Sequence, residues 1–132
     1  MRTAAFDTSV LYALINKEDE HHERARKIAA QLERIVLPGI VIHEVVWILR
    51  RKTDTETVRE IILDIISRSD VKVLPITEED IGFAAITMQN SRDYNDLLIL
   101  SAAKRSGVPL ISFDDELRKK YGKLWKIRAS LE

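Results

Sequence analysis

The chain enters its first apolar segment at Thr3-Ala4-Ala5-Phe6 and continues through the polar Asp7-Thr8-Ser9 into Val10-Leu11-Tyr12-Ala13-Leu14. The first segment is typical of a short buried strand, and Ser9 to Asn16 of a short helix with Thr8 or Ser9 as its N-cap. Asp7 is therefore expected at the carboxyl end of a strand, where α/β proteins collect their ligands.

Strands and helices alternate through the remainder of the sequence. Further strands are predicted at 35–37, 71–76, 109–113 and 124–127. Helices are predicted at about 20–31, 78–89, 95–106 and 115–121. Two more helices are predicted between them, one that contains Glu44 and runs to about 52, and one that Asp54 or Thr55 caps. Gly107 is predicted to end the helix at 95–106. The alternation predicts a parallel sheet that is covered by helices on both faces, with the carboxyl ends of its strands along one edge.

Two of these helices are expected to pack through apolar stripes. Val58, Ile61, Ile62, Ile65 and Ile66 follow a helical period and are predicted to be core residues. Ile81, Ala84, Ala85 and Met88 are predicted to form the buried face of the helix at 78–89. Phe83 and Ile86 then lie on its other side, where they suggest contact with a second subunit or a partner protein.

Four acidic residues lie in or directly after apolar segments, where a water-soluble chain has little reason to place them. Asp7 and Asp114 each end a predicted strand. Glu44 has Val41 and Ile48 as its i−3 and i+4 neighbours, and Asp96 begins the apolar run 96–100. All four side chains are therefore expected to project toward the interior or toward the ligand-binding edge of the sheet.

Several carboxylates that are desolvated near one another are costly, because low dielectric and like charge both oppose ionisation. A bound divalent cation offsets that cost. Oxygen ligands without cysteine suit Mg²⁺ or Mn²⁺ rather than copper or structural zinc. Such ions act chiefly on phosphates, so hydrolysis of phosphodiester bonds is the expected reaction.

Individual roles can be assigned within this acidic set. Asp7 and Asp96 are the expected metal ligands, because one ends a strand and the other begins a helix, and both supports are rigid. Glu44 and Asp114 are expected to bind through water or to orient the nucleophile. Ser9 and Ser112 stand beside two of the acids and are expected to anchor a ligating water or to bond a carboxylate, with Ser9 equally suited to a plain helix cap.

Composition limits the remaining possibilities. At 132 residues, with 45% hydrophobic and 32% charged residues, the chain is expected to be one domain over 1–132. A formal net charge of +0 gives no overall attraction to nucleic acid or membrane. Having no cysteine, no signal-peptide pattern and no apolar run of ~20 residues, the chain is expected to be cytoplasmic.

Four motifs together resemble the PIN domain, and especially its VapC-type ribonuclease toxins. They are the run 6–14, the Glu44 helix with Val45-Val46, the segment 96–99 with Ala102-Ala103, and 110–114. They occur in the family's order over nearly the whole chain. The resemblance implies a three-layer α/β/α sandwich with a central, mainly parallel sheet, Mg²⁺- or Mn²⁺-dependent endoribonuclease activity on RNA, homodimers, and an antitoxin protein as partner.

On the family pattern Asp7, Glu44, Asp96 and Asp114 are the catalytic, metal-binding quartet. The chain departs from the pattern at Ser112, where the family commonly has threonine. Asp93 and Asp115 lie beside expected positions and are possible substitutes within the quartet.

Basic residues follow the last acid, at Arg118, Lys119, Lys120 and Lys123. Charge runs are usually solvated surface, but a nuclease with a negative site needs cations that hold phosphates, so these four are candidate RNA-binding residues. Trp47 and Trp125 are expected to pack or to contact another subunit rather than to stack on bases.

Other interpretations remain open. Each acid taken singly could be a helix cap or an ion-paired core residue. A PIN-like module that keeps the acids but is catalytically silent, and binds RNA or joins a larger complex, is the main alternative. A haloacid-dehalogenase-like phosphatase would need an acid where Ser9 stands, and a response-regulator receiver would need an acidic pair near the first strand.

Overall fold

Five short apolar segments form the sheet in the computed structural model, which describes residues 2–131. The strands are β1 (Thr3–Phe6), β2 (Arg34–Pro38), β3 (Val71–Leu74), β4 (Leu110–Ile111) and β5 (Ile127–Arg128). The helices are α1 (Thr8–Ile15), α2 (His22–Ala30), α3 (Gly39–Leu49), α4 (Thr55–Ser67), α5 (Glu78–Thr87), α6 (Tyr94–Arg105) and α7 (Asp115–Tyr121), with a 3₁₀ turn at Ser91–Asp93 before α6.

The sheet has the order β3-β2-β1-β4-β5, and all neighbouring strands are parallel. β1 lies at its centre, with Ala5 paired to Val36 of β2 and to Leu110 of β4. Ala4, Ala5 and Phe6 are fully buried because helices cover both faces of the sheet. The predicted three-layer α/β/α architecture with a parallel sheet is thereby confirmed.

Helix packing follows the chain order. α1 contacts α2 and α3, α3 contacts α4 and α6, and α5 packs along α6. The contact between α3 and α6 is long-range in sequence and brings the two helices that carry Glu44 and Asp96 together beyond the sheet edge. Gly107, with φ +71°, follows the end of α6 as predicted, because that left-handed conformation favours glycine.

Several strands are shorter or shifted relative to the sequence-based bounds. β3 ends at Leu74 instead of Ile76, since Pro75 has no N–H to continue the ladder. β4 spans only Leu110–Ile111, and β5 lies at Ile127–Arg128 rather than at 124–127.

The apolar stripe of α4 is only partly a core feature. Val58 and Ile65 are buried and Ile61 and Ile62 are partly buried, but Ile66 is 51% exposed. Adjacent helical residues point ~100° apart, and Ile66 lies on the solvent side of the face through which Val58 and Ile65 pack. The prediction that Ile66 belongs to the core was wrong.

The predicted buried face of α5 was also wrong. Of its four residues only Ala84 is buried, whereas Ile81, Ala85 and Met88 are exposed. Phe83, predicted on the other side, is partly buried and packs against the core.

A buried acid sets the rotation of α5. The Asp80 side chain is 0% exposed and accepts hydrogen bonds from Ser101 Oγ at 2.7 Å and from Arg105 Nη2 at 3.0 Å, both on α6. It also completes a capping box with Thr77. Burial raises the pKa of Asp80, but the hydrogen bonds of Arg105 and Thr77 outweigh that effect and hold the pKa below its usual range. These polar contacts turn α5 away from its most apolar face.

None of the helices within residues 2–131 has the length and apolar character that crossing a membrane requires.

Candidate active site

The order of the strands places a crevice beyond the carboxyl ends of β1 and β4. From β1 the chain crosses to β2 on one side, and β4 returns on the other side, so the connections diverge at this point. Open α/β sheets bind their ligands at such a switch point. The strands remain joined to the end, because Asp7 N–H donates to the Ile111 carbonyl oxygen at 3.1 Å.

Asp7 leaves β1 and enters this crevice while capping α1. Its backbone is extended (φ −84°, ψ 179°), and its Oδ1 accepts the Val10 N–H at 3.2 Å. The predicted N-cap, Thr8 or Ser9, was therefore wrong by one or two residues: Thr8 is already helical, and the carboxylate of Asp7 supplies the cap. The side chain is only 4% exposed.

Two serines connect Asp7 to the end of β4. Ser9 Oγ donates to Asp7 Oδ1 at 2.6 Å and accepts the Phe113 N–H at 3.2 Å. The fully buried Ser112 also hydrogen-bonds Asp7, and its Oγ accepts the Asp114 N–H at 3.1 Å. Each hydroxyl thus fixes the carboxylate to the segment that carries Asp114.

Burial raises the pKa of Asp7 above its ordinary value. The hydrogen bonds of Ser112, Ser9 and Val10 act in the opposite direction, and the charge of Asp114 raises the pKa further. The carboxyl group is therefore held in one orientation in a place that penalises its negative charge.

Asp114 caps α7 at the outer side of the crevice. Its Oδ1 accepts the Glu116 N–H at 3.0 Å and the Leu117 N–H at 3.3 Å, and the residue is exposed. Both capping bonds go to one oxygen. Capping and a role in the crevice are thus compatible for this residue.

Glu44 reaches the crevice from the middle of α3 and is braced by two other helices. Thr8 Oγ1 on α1 donates to its Oε1, and Asn95 Nδ2 on α6 donates to its Oε2 at 3.2 Å. Each carboxylate oxygen thus accepts a hydrogen bond from a different element, which fixes the orientation of the half-buried side chain.

Asp96 lies in the first turn of α6 and is half-buried. Its pKa is raised from 3.8 to about 7, first by burial and then by the negative charges of Asp7, Glu44, Asp114 and, least, Asp93. No hydrogen bond or ion pair within residues 2–131 compensates the carboxyl group. Asp96 is therefore the point at which the charges of the other three acids converge.

These residues suit a hard divalent cation. All donors are carboxylate oxygens, and the electrostatic repulsion at Asp96 is of the kind that a doubly charged ion relieves. Within residues 2–131 no three acidic or histidine side chains already stand close enough together to hold an ion. Mg²⁺ commonly uses one or two protein carboxylates and completes its shell with water and substrate phosphate, so the donor set fits.

The two substitute acids lie in different surroundings. Asp93 is paired with Lys120 at 2.7 Å and accepts the Tyr121 hydroxyl at 2.5 Å, and the Lys120 bond lowers the pKa of its carboxyl. Asp115 is exposed and pairs with Arg118. Both charges are compensated locally, unlike that of Asp96.

The four basic candidates divide in the same way. Arg118 donates to the Ser112 carbonyl oxygen at 2.5 Å as well as pairing with Asp115, and Lys120 is held by Asp93. Lys119 and Lys123 are exposed, and in the part of the chain that the structure describes no side-chain partner holds either of them.

Two residues of the site were not singled out from the sequence. Thr8 and Asn95 both donate to the Glu44 carboxylate. The sequence pattern had predicted each of them only as a residue at the start of a helix. Their signal is positional: each is the sequence neighbour of a crevice acid, Thr8 after Asp7 and Asn95 before Asp96. Only the folded contacts of α3 with α1 and with α6 reveal that Thr8 and Asn95 bond Glu44.

Comparison with known proteins identifies the arrangement. The family model described as PIN domain matches residues 4–123. No curated protein matches the sequence.

Solved structures share the fold at low sequence identity. Mycobacterium tuberculosis VapC20, described as a sarcin–ricin loop cleaving toxin, is 19% identical with a TM-score of 0.74 over 88% of this chain and 93% of that one. A toxin–antitoxin complex from Klebsiella pneumoniae is 19% identical with a TM-score of 0.65, over 94% of each chain. VapBC2 from Rickettsia felis, bound to a DNA fragment from its promoter, is 17% identical with a TM-score of 0.66, over 96% of this chain and 97% of that one. The likeness to these toxins is one of fold.

Proposed function

The chain belongs to the PIN domain family, and from this premise we propose that it is a Mg²⁺- or Mn²⁺-dependent endoribonuclease, the toxin of a toxin–antitoxin pair. The proposal is supported chiefly by the way the fold brings Asp7, Glu44 and Asp114 from separate elements toward Asp96, where burial and neighbouring acids raise the pKa of Asp96 to about 7. A protein keeps such an unfavourable arrangement where a cation and its chemistry are needed.

Asp7 and Asp96 would hold the ion, and Glu44 and Asp114 would hold water and orient the nucleophile. When bound, the ion would polarise the phosphoryl oxygens and lower the pKa of water. Glu44 is suited to its role because Thr8 and Asn95 fix both of its oxygens. Ser9 and Ser112 keep Asp7 in place as supporting residues.

Lys119 and Lys123 are the better placed of the basic candidates to hold RNA phosphates. Arg118 and Lys120 are engaged with acids of the protein itself and would first have to exchange those partners. Phosphate contacts of this kind position RNA without reading its sequence.

The partner proteins belong to the same proposal. An antitoxin is supported by the Klebsiella and Rickettsia relatives, whose structures are described as a toxin–antitoxin complex and as VapBC2. A homodimer is supported by exposed apolar side chains such as Ile86, which is 89% exposed on α5. One nuclease unit over 1–132 acting in the cytoplasm completes the proposal, with the family match over 4–123 supporting the single unit.

Cleavage of an RNA pool tests the function. We expect the purified protein to cut RNA with Mg²⁺ or Mn²⁺ and to be inactive in EDTA, and the sequenced products to define the cleavage position. Loss of a residue that only supports a metal ligand costs up to ~100-fold in activity. Asp7→Asn and Asp96→Asn remove the proposed ligands themselves, so each should lower the cleavage rate at least ~100-fold. Asp64→Asn, at an exposed acid of α4, should cut like the wild type.

Full activity in EDTA would exclude the metal mechanism. RNA binding without cleavage under any divalent ion would favour the alternative, a silent PIN-like module.

A further inference from the structure

Trp47 is the large aromatic side chain of α3, and it lies open to solvent at 61% exposure. It lines an open cavity of about 450 Å³ together with Thr8, His43, Glu44, Ile48 and Asn95. This volume falls within the range of ~300–1,000 Å³ that is usual for small-ligand sites. Of the two roles expected for Trp47, packing within its own chain does not fit this exposure, whereas contact with another subunit stays a prediction.

The cavity continues directly from the candidate active site. Three of its four polar residues, Thr8, Glu44 and Asn95, form the hydrogen-bonded brace of the site, and His43 is the fourth. Whatever fills the cavity therefore lies against the Glu44 carboxylate.

The sequence of α3 places an acid, an aromatic ring and a cation on successive turns. Glu44, Trp47 and Arg50 are three residues apart, so they follow one ridge of the helix over about 9 Å. The Arg50 guanidinium carbon lies 3.5 Å from the centroid of the Trp47 ring. A stacked guanidinium holds the indole in place and puts a positive charge beside it.

We propose that this cavity binds one unpaired nucleobase of an RNA strand, stacked on Trp47, with Arg50 beside an adjacent phosphate. The inference deepens the proposed function, on which it rests for its substrate class. Aromatic rings beside cations are the usual means by which proteins hold single-stranded nucleic acid. The base would lie next to the scissile phosphate, so the cavity contributes to the choice of cleavage position.

The lining of the cavity is largely apolar, which suits the flat face of a base, and its few polar atoms favour a base over an aliphatic protein side chain. Asn95 Nδ2 donates to Glu44, which leaves the Asn95 carbonyl oxygen and the Glu44 carboxylate as acceptors. Exocyclic amino groups of bases are donors that match them. An aliphatic side chain from a second copy or another protein would instead desolvate Glu44 without a new hydrogen bond, which is costly.

Binding of a short unstructured RNA with a 5′ fluorophore, measured by anisotropy in EDTA, tests the proposal. Trp47→Ala should weaken binding about 5- to 150-fold, the loss expected for one stacked base. Trp47→Phe, which keeps a flat ring, should retain most of the affinity. Leu63→Ala, at a comparably exposed apolar residue on α4, should bind like the wild type.

A probe of the same length with abasic sites separates stacking from a structural effect. The Trp47→Ala defect should disappear on the abasic probe, because no base remains to be lost. An equal defect on both probes, or wild-type binding by Trp47→Ala, would overturn the proposal. A lower oligomeric mass of Trp47→Ala in light scattering, with unchanged RNA affinity, would assign the face to a protein contact and overturn it equally.

Cleavage with Mg²⁺ is measured on the same samples, so the two proposals can fail separately. Binding that depends on Trp47 without cleavage supports the base site and contradicts the nuclease. Cleavage by the wild type with unchanged binding by Trp47→Ala supports the nuclease and contradicts the base site.

Discussion

At the scale of single residues, Asp96 determines the electrostatics of the site. The sequence places it at the start of an apolar helix, and that position already predicts an inward-facing side chain. What the sequence does not contain is the distance to Asp7, Glu44 and Asp114, which lie far from it along the chain. Their charges reach Asp96 only after α3, α6 and the ends of β1 and β4 have packed.

The raised pKa makes the metal-free protein less stable above neutral pH. Folded Asp96 binds a proton up to a pKa of about 7, whereas the unfolded side chain loses it near ~4. The contribution of Asp96 to the free energy of unfolding is therefore most favourable below ~pH 4, and it is lost as the pH rises through about 7.

Asp96→Asn removes this charge, so the variant should melt several degrees above the wild type at pH 8 in EDTA. The difference should shrink as the pH is lowered from about 7 toward ~4. Thermal melts followed by circular dichroism across this range measure it. Saturating Mn²⁺ should raise the melting temperature of the wild type alone, because only the folded wild type binds the ion. Equal melting temperatures at every pH would show that Asp96 is ordinarily solvated.

At the scale of elements, α5 shows how a polar contact can override an apolar pattern. Periodicity alone predicted the face with Ile81 and Met88, but a buried ion pair with α6 turns the helix otherwise. Asp80 is one of three acids in the first turn of α5, and nothing in the sequence shows that it pairs with Arg105 twenty-five residues later. Pairings of this kind become visible only in the folded structure.

The Asp80–Arg105 pair should contribute strongly to the docking of α5 on α6. Arg105→Ala would leave the buried Asp80 charge without its cation, held only by Ser101 and Thr77, a change that should cost about 3 kcal/mol of unfolding free energy. Urea denaturation at pH 7 measures the loss. Because the pKa of Asp80 is held below its usual range, the wild-type advantage is present at pH 7 and disappears as pH falls below ~4.

Arg68→Ala is the matched control, since the Arg68–Asp70 pair is largely exposed. It should cost no more than ~1 kcal/mol. Similar losses in the two variants would contradict a special role for the buried pair.

At the scale of the whole molecule, the alternation of strands and helices was enough to predict a parallel three-layer fold. The alternation could not give the strand order β3-β2-β1-β4-β5. That order depends on where the chain returns to the sheet after α5 and α6, which connect β3 to β4. That return places β4 beside β1 and therefore Asp114 beside Asp7. The resemblance to the PIN domain predicted that Asp7 and Asp114 lie in one site. The local sequence pattern predicted only that each of them ends a strand.

The formal net charge of +0 makes the approach of RNA depend on local cations. Lys119→Ala combined with Lys123→Ala should reduce the slope of log K against log salt by about 1.4 for single-stranded RNA, because two phosphate contacts are lost. Titrations at several salt concentrations in EDTA measure the slope. Lys17→Ala with Lys27→Ala, at an exposed lysine after the end of α1 and an exposed lysine in α2, is the charge-matched control. An unchanged slope in the first variant would exclude this part of the surface from RNA binding.

The proposed function requires acids from four separate elements to form one binding centre for a divalent ion. Anomalous diffraction from crystals of the protein grown with Mn²⁺ tests it most directly. We predict a peak within coordination distance of the carboxylates of both Asp7 and Asp96, which is lost in Asp96→Asn crystals. A peak that lies elsewhere, or no peak near these two residues at saturating Mn²⁺, would exclude Asp7 and Asp96 as ligands of one ion.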